Sequence, residues 1–564
     1  MWTKRLGSLV VVSALLIAVV STTSQTAARG ATVVVKAVKH SKVVAKSSQA
    51  VPTGSSAGHE GLYTGLQVSG PDDGADFSNR WVPPAGTTRL GKVSARQSLS
   101  DALPVLTHAR VKGATRSPHV SFTTYSTATS SSHPYAPEDT STAAGGSAVM
   151  YVRNDELAVS TNGGATFFPG VAVQNIFPPF NGAPSICCDM IVRYAPSMDA
   201  FLWVIQFNGS AAAGGSNFER VVVVPRASVV GTVVDPKGIT AYWWYDFAGK
   251  SIPGENVTVL PANGGNSFFD YPQLTIGTND AYLGYSTGSP GSANVTNSDV
   301  VRLPLSPMAA AAGFSFNYLV APFNQRGMVA ERTGTTAFWA WVINNASLGI
   351  ASWPEGSNVV TSYTQSIQSF PSSGIGSYIG STLPNGQQWL KRVVNGVTYA
   401  TFYTNYVYGA ARDSNTLYFA FEGAAGNGIP YAHVEIVALT GANSSLSFLS
   451  QRALWYSGAA AAWPALTQVN HHIGLAVVVG GATSYPHTSF TDLTTSPNVT
   501  SPFPGAVAGC GCQRWGDYQS IAPAYAELSK LTGGEQPTAF VVSGYLYENV
   551  DRPVVVDRFA RFTP

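Results

Sequence analysis

Four aspartates stand directly before strand-like segments, and they are the side chains best placed to do chemistry. They are Asp139, Asp189, Asp270 and Asp517. If the strands converge, the four carboxyl groups would form a ring that acts as general acid or base, or that holds a hard cation such as calcium. The alternative is that each aspartate accepts hydrogen bonds from backbone N–H groups where its strand begins. We favour capping, and the sequence assigns no catalytic residue and no metal ligand.

The other candidate binding residues are aromatic or cationic neighbours of these aspartates: Tyr271, Arg514, Trp515 and Tyr518. Three of them share the segment "QRWGDYQS" with one of the aspartates. A cation, a stacking surface and a hydroxyl on one loop suit a sugar ring with a polar rim. For the two tyrosines, the alternative is that their rings simply pack between neighbouring sheets.

The elements that must position these residues are strands, because the composition favours an all-β fold. Only 11% of the 564 residues are charged, 11% are aromatic, and 56 are glycine. Aromatic and aliphatic residues fill "TAFWAWVI" (Thr336–Ile343) and "TLYFAFEG" (Thr416–Gly423), between turns rich in Gly and Asn. Ser306–Gly313 is the one segment with a helical pattern.

A weak internal repeat favours a single β-propeller. "DYPQLTIG" from Asp270 and "AWPALTQV" from Ala462 share Pro-x-Leu-Thr before a polar turn and a second strand. Seven such strand-turn-strand starts can be counted, most of them about fifty to eighty residues apart. This spacing predicts seven blades, with six as the alternative. The last unit has three strands, and Val105–Tyr125 is available to complete it.

The N-terminus predicts export. Lys4 and Arg5 precede the apolar stretch Leu9–Val20, and Thr26-Ala27-Ala28 offers a cleavage site. We therefore expect a signal peptide at 1–28, a disordered linker or pro-region at 29–104 and the propeller at 105–564. The mature protein is expected to be secreted, extracellular and monomeric, without a membrane span.

The net charge excludes nucleic acid as a partner. Without Lys4 and Arg5 the chain has 30 basic and 30 acidic residues, and five of the basic ones lie between 29 and 46. The remainder is therefore acidic by about five charges, which is unsuited to a phosphate backbone.

The four cysteines lie in two loops, Cys187 and Cys188 in one and Cys510 and Cys512 in the other. In an exported protein they predict two disulfides. With seven blades both loops would lie on one face near the channel, so we expect bridges between the loops. Local bridges within each loop are the second interpretation, and a four-thiolate metal site is the third.

The segment "AVSTNGGATF" (Ala158–Phe167) resembles the Asp-box of BNR-repeat, sialidase-like propellers, with Asn162 in place of the aspartate. The chain also resembles uncharacterised secreted propellers whose last blade opens with "RWGDY", here Arg514–Tyr518. The sialidase resemblance implies an arginine triad, an acid aspartate and a Tyr–Glu nucleophile pair. The sequence departs from that family because the nearest match to its Arg-Ile-Pro segment, Arg302-Leu303-Pro304, lies in mid-chain.

Three functions remain open. The chain binds a glycan or cell-envelope polymer at the channel face, or it is an exo-acting glycoside hydrolase or lyase of the sialidase-like type, or it is a structural surface-display module. We favour binding, because no arginine triad and no nucleophile–base pair is marked in the sequence. An aromatic shelf without three clustered arginines would favour binding over hydrolysis.

Overall fold

Nearly all of the regular structure consists of β-strands, as the composition predicts. The structure is a computed structural model, and it describes residues 33–36, 38–43, 46–47, 121–131, 139–154, 156–177, 186–209, 215–231, 234–251, 257–260, 268–288, 295–321, 328–329, 335–372, 382–384, 386, 388–394, 397–400, 406–442, 445–456, 458–495, 520–526, 537–548 and 554–564. The chain divides into two units, Met1–Ala31 and Thr32–Pro564, and every described residue lies in the second.

The first seventeen strands are β1 (Val33–Lys36), β2 (Val38–Val43), β3 (Lys46–Ser47), β4 (Ser121–Ser131), β5 (Thr140–Gly145), β6 (Ala148–Arg153), β7 (Glu156–Ser160), β8 (Val171–Ala172), β9 (Ile191–Ala195), β10 (Ala200–Gln206), β11 (Phe218–Pro225), β12 (Trp243–Ala248), β13 (Thr258–Val259), β14 (Phe268–Ile276), β15 (Asp280–Gly288), β16 (Val295–Pro304) and β17 (Phe314–Ala321). The others are β18 (Met328–Val329), β19 (Thr336–Asn344), β20 (Ser347–Pro354), β21 (Val359–Ser366), β22 (Lys391–Val394), β23 (Val397–Ala400), β24 (Val407–Asp413), β25 (Thr416–Gly423), β26 (His433–Thr440), β27 (Ser447–Leu454), β28 (Ala459–Val469), β29 (His472–Gly481), β30 (Ser484–Asp492), β31 (Ser520–Tyr525), β32 (Pro537–Glu548) and β33 (Val554–Thr563). The helices are α1 (Val173–Ile176), α2 (Leu305–Ala309) and the 3-10 turns Pro196–Met198 and Arg226–Ser228.

Five sheets contain four or more strands among the described residues. They are sheet A (order β4-β33-β32-β31-β5-β6-β7-β8), sheet B (β13-β12-β11-β10-β9, with β3 on β12), sheet C (β14-β15-β16-β17-β2), sheet D (β1-β21-β20-β19-β18) and sheet E (β24-β25-β26-β27). Sheet F (β28-β29-β30) has three strands, and β22 and β23 form a separate hairpin.

The sheets are arranged as a β-propeller, but five blades are recognised and not the seven or six that the sequence predicts. All seven predicted starts do fall in antiparallel strand pairs, and their first strands (β5, β9, β14, β18, β24, β28 and β31) contact one another around a ring. The count differs for two reasons. A parallel pairing between β31 and β5 joins two units into sheet A, and the unit that begins with β28 stops at three strands.

The expected closure by an N-terminal strand is confirmed. β4 pairs antiparallel with β33, from Ser121 opposite Thr563 to Ser131 opposite Val555. The closing strand overlaps only the end of the segment predicted from the sequence. This pairing joins β33, the last described strand, to β4, the strand that comes before the first inner strand β5, so the ring is held shut by backbone hydrogen bonds.

Three short strands lie within the segment 29–104, which the sequence predicts to be a disordered linker. β1 pairs with β21, β2 with β17 and β3 with β12. These short strands extend the outer edges of sheets B, C and D, and the linker or pro-region at 29–104 stays a prediction. In the part of the chain that the structure describes, no helix has the length and apolar character needed to cross a membrane.

Both faces of most strands are covered. All seven residues of β10 are buried, and so are all six of β5 and of β6. Outer strands differ: β27 and β21 have exposed or half-buried residues at nearly every position. A sheet packed between two others has no solvent-facing side, so its strands lose the apolar–polar alternation of a half-buried sheet.

The turn after β7 has the geometry that the sequence predicts. The Asn162 side chain accepts a hydrogen bond from the Thr166 N–H at 3.0 Å, and the Ser160 hydroxyl accepts one from the Gly164 N–H at 3.0 Å. Gly163 and Gly164 have φ of 74° and 90°. The turn connects β7 and β8, the last two strands at one end of sheet A, and β6 lies between them and the inner strand β5.

We expect Gly164→Ala to destabilise the protein far more than the matched control Gly428→Ala. Both glycines have a left-handed backbone, with φ of 90° and 87°, so the backbone strain is shared. A Cβ on Gly164 would fall within the ring of Phe559, which is fully buried, whereas a Cβ on Gly428 meets nothing within 4 Å. Overpacking should add about 2 kcal/mol to the loss of unfolding free energy. Urea unfolding measures both losses. Equal losses of unfolding free energy in Gly164→Ala and Gly428→Ala would contradict this packing.

Candidate functional site

The inner strands contact one another around the propeller channel, and the described members of the predicted site lie at the end of the ring where these strands begin. Asp139 immediately precedes β5, Asp189 lies two residues before β9, and Asp270 and Tyr271 lie near the start of β14. Arg514, Trp515, Asp517 and Tyr518 lie outside the described residues, and their part in the site stays a prediction. The described candidates can be placed one by one.

Asp139 and Asp189 are joined through one asparagine. The Asn154 Nδ2 group donates to the Asp139 carboxylate at 3.2 Å, and the Asn154 Oδ1 atom accepts from the Asp189 N–H at 2.9 Å. Asp139 is 1% exposed and Asp189 6%. These two carboxyl groups therefore do not form part of an exposed ring, and their burial favours a role in fixing the strand starts.

Asp270 and Tyr271 lie in a β-bulge of β14, between Asp270 and Gln273. The Asp270 carboxylate accepts from Gln206 Nε2 at 3.3 Å, across from sheet C to sheet B. Tyr271 has a φ of 54°, and its ring lies 6.4 Å from that of Tyr408 in an edge-to-face arrangement. Tyr271 is buried, so the interpretation that its ring packs between sheets is supported.

The second half of the internal repeat has the same local geometry. Trp463 has a φ of 50° and lies in a bulge of β28, between Ala462 and Ala465. The backbone N–H of Trp463 donates to the Glu422 carboxylate at 2.6 Å. A Pro follows the aromatic residue in both repeats, and it disfavours the right-handed helical conformation for that residue.

Cys187 and Cys188 are disulfide-bonded to each other. The expected bridges from these two cysteines to the second loop are therefore wrong, and the local alternative is confirmed for this pair. Cys510 and Cys512 lie outside the described residues. Adjacent cysteines are close to each other in any fold. Pairing between the two loops depends on the distance between the loops, which the sequence does not give. The Cys187 N–H donates to the Gln206 carbonyl at 2.9 Å, so the bonded pair lies against the end of β10.

Three half-buried tyrosines that the sequence analysis did not single out lie at the same end of the ring. Tyr406, Tyr431 and Tyr485 lie at the starts of β24, β26 and β30 and pack against the core cluster that contains Tyr271 and Trp463. We call these five residues the aromatic rim. A sequence signal was present, since all but Tyr406 adjoin a proline at a strand start.

The channel wall carries a fixed positive group. The Arg193 Nη1 atom donates to the Ser141 hydroxyl at 3.2 Å, the Ser520 hydroxyl at 3.3 Å and the Val192 carbonyl at 2.9 Å. Ser141, Arg193 and Ser520 belong to β5, β9 and β31, so one half-buried guanidinium connects three consecutive inner strands. It is placed to bind an oxygen-rich or anionic group that enters the channel.

The arginines that form ion pairs do so at separate places. These pairs are Arg153–Glu156, Arg220–Asp246, Arg226–Asp199 and Arg302–Asp280. Arg302, in the segment that most resembles Arg-Ile-Pro, also donates to the carbonyls of Pro354 and Ser357, at 3.0 and 2.7 Å. These four arginines therefore do not form the triad that the sialidase resemblance implies.

A polar cavity of about 490 Å³ lies between sheets C and D, at the opposite end of β15 from Asp270. Asp280 in its wall lies 3.6 Å from Arg302 Nε. Burial raises the pKa of Asp280 to about 6; Arg302 opposes the shift and Glu355 adds to it. Glu355 accepts the backbone N–H groups of Asn279 and Asp280 at 3.0 and 3.2 Å, so it fixes the turn before β15.

No family model and no curated protein matches the chain. Among solved structures, the alpha-L-arabinanase of Penicillium chrysogenum complexed with arabinobiose is 10% identical, with 78% of this chain and 98% of that chain covered and a TM-score of 0.35. A neuraminidase-like protein of A/little yellow-shouldered bat/Guatemala is 9% identical, with 63% and 94% covered and a TM-score of 0.32. The alpha-L-arabinofuranosidase of Fusarium graminearum is 10% identical, with 76% and 96% covered and a TM-score of 0.31. Similarity at this level carries no information on substrate or mechanism.

We expect Asp280→Asn to flatten the pH dependence of stability between about pH 4 and pH 6. The folded-state pKa of about 6 lies above the usual 3.8, so the native state binds the proton more tightly and wild-type stability falls as pH rises through this window. The full shift corresponds to about 3 kcal/mol at most.

Urea unfolding across this pH range measures the effect. Buried Glu219 and Asp299 have raised pKa values in both proteins, so the difference between the two curves isolates Asp280. Parallel curves would show that Asp280 ionises normally in the folded protein.

Proposed function

We propose that this chain is a secreted, sialidase-like β-propeller protein that binds a glycan or cell-envelope polymer at the channel mouth. The observation that supports it is the aromatic rim, where half-buried Tyr406, Tyr431 and Tyr485 surround the same end of the ring as Tyr271 and Trp463. Half-buried rings present an apolar face and a hydroxyl edge, a combination that suits the C–H faces and polar rims of sugars.

Pre-organisation supports binding at this end. Tyr271 and Trp463 are held at positive φ within bulges, and the Cys187–Cys188 bond stiffens the adjacent loop. Binding to a surface that is already ordered loses less conformational entropy than binding to mobile loops. Arg193 deeper in the channel supplies a cation for hydroxyl or carboxylate groups of the polymer.

Hydrolysis is the second candidate function, as an exo-acting glycoside hydrolase of the sialidase-like type. In the described structure four arginines each pair with a different carboxylate. They therefore do not form the arginine triad that a hydrolase of this type would use. A display module without a ligand is the third candidate, and it leaves the exposed edges of the rim tyrosines without a role.

The remaining parts of the proposal come from the sequence. A signal peptide at 1–28 directs export, the segment 29–104 precedes the propeller, and the protein acts outside the cell as a monomer. The turn at Asn162 is an Asp-box of the BNR type. From the sequence we expect Arg514, Trp515, Asp517 and Tyr518 to add a cation, a carboxylate and two aromatic rings to this site.

We expect Tyr406→Ala and Tyr431→Ala each to weaken glycan binding by about tenfold or more, because each removes a stacking surface. Tyr363→Ala is the matched control, since Tyr363 is a half-buried tyrosine on the outer strand β21. A glycan array identifies ligands, and calorimetry on the best of them measures the affinity. Equal affinities in all three variants, with melting temperatures like that of the wild type, would exclude the rim as the binding site.

Asp517→Ala separates binding from hydrolysis. We expect no turnover of a fluorogenic sialoside or other aryl glycosides by the wild type, and weaker glycan binding by the variant. Turnover by the wild type that this substitution abolishes would favour the hydrolase, and an absence of both signals would favour the display module.

A further inference from the structure

A group of fully buried acidic and polar side chains fills one end of the space between sheets B and C. Gln206 and Glu219 come from β10 and β11, and Asp270, Tyr285 and Asp299 come from β14, β15 and β16. Each of the five is 1% exposed or less. We call this group the interface cluster.

The backbone register places these side chains next to one another. Gln206 lies opposite Glu219 in sheet B, and Tyr285 lies opposite Asp299 in sheet C. The hydrogen bond from Gln206 Nε2 to Asp270 connects the two sheets at 3.3 Å. The cluster is therefore built from five strands and converges on one interior space.

The charges in the cluster affect one another. Burial and the nearby Asp270 carboxylate raise the pKa of Glu219 well above its usual range. Burial, Glu219 and Asp299 together raise the pKa of the Tyr285 phenol. Burial alone raises the pKa of Asp299 to about 7. Among the described residues, no hydrogen-bond donor or cation reaches the oxygens of Glu219 and Asp299, and buried carboxyl groups in that situation are unfavourable.

Several oxygens of the cluster have no hydrogen-bond partner among the described residues. They are both carboxylate oxygens of Glu219, both of Asp299, the Gln206 Oε1 atom and the Tyr285 hydroxyl. Buried polar atoms almost always have a hydrogen-bond partner. Unpaired oxygens from several different strands therefore indicate that a further group occupies the space. Since the unpaired atoms are all oxygens, the occupant must be attracted to oxygen.

We propose that the interface cluster binds one hard cation of the Ca²⁺ class, held by the Glu219 and Asp270 carboxylates and the Gln206 amide oxygen. In the described residues no three His, Cys, Asp or Glu side chains come together as a metal-binding group, so neutral oxygens and water must complete the shell. Calcium accepts such a mixed oxygen shell, whereas Zn²⁺ favours nitrogen and sulfur ligands.

The binding test uses the full-length secreted protein after EGTA treatment and desalting, with CaCl₂ as the probe at constant pH. We expect Glu219→Gln to bind about one equivalent of calcium less than the wild type, measured by equilibrium dialysis and elemental analysis. Calcium should raise the melting temperature of the wild type by at least about 2 °C and leave that of Glu219→Gln unchanged. Because the amide carries no charge, this variant should fold at least as well as the calcium-free wild type.

Asp199→Asn is the matched control. Asp199 precedes β10 at the end opposite Gln206 and pairs with Arg226, so its loss should leave the calcium response intact. Asp270→Asn repeats the test from the other sheet and is expected to behave as Glu219→Gln does. A wild type that neither binds calcium nor responds to it, or a Glu219→Gln variant with the wild-type stoichiometry and response, would overturn the proposal.

Discussion

The structure depends on one constraint, which is that each inner sheet is covered on both faces. Charged groups inside such a layered stack need complete partners, and Arg220 shows what that requires. Its guanidinium bonds the Asp246 carboxylate at 2.8 and 3.2 Å and lies about 5 Å from the rings of Phe177, Phe207 and Trp244. A charge without such an environment is stable only at the ends of the sheets, where water or a ligand can reach it.

The ends of the sheets are therefore where polar side chains connect one sheet to the next. In three places a polar residue at the end of a second strand bonds the start of the next inner strand: Asn154 to Asp189, Gln206 to Asp270 and Glu422 to Trp463. Asp139, Asp189 and Asp270, the described aspartates among the candidate ligands, belong to these connections. Their position before the strands was predictable, but their burial depends on the neighbouring sheet and was not.

The same distinction explains how far the sequence could predict the fold. Local patterns identify the strand pairs and the short helix near Ser306, because these depend on neighbours along the chain. The closing strand was predictable for another reason: the last unit has three strands of its own and needs a fourth from the N-terminal side. The number of separate blades depends on the pairing of β31 with β5, residues nearly four hundred positions apart. The partner of Cys187 and the shared location of the rim tyrosines likewise depend on contacts between distant segments.

Asp270 and Tyr271 connect the two proposed sites. A φ of 54° at Tyr271 is unfavourable for a residue with a side chain, by about 1 kcal/mol or more, so the surroundings must impose it. The Gln206–Asp270 bond holds one side of the bulge, and packing of Tyr271 against Tyr408 holds the other. Because adjacent residues of one bulge face the interface cluster and the aromatic rim, a change of charge between sheets B and C would be transmitted to the ring of Tyr271. The geometry of the proposed glycan-binding face would then depend on how the buried carboxyl groups are neutralised.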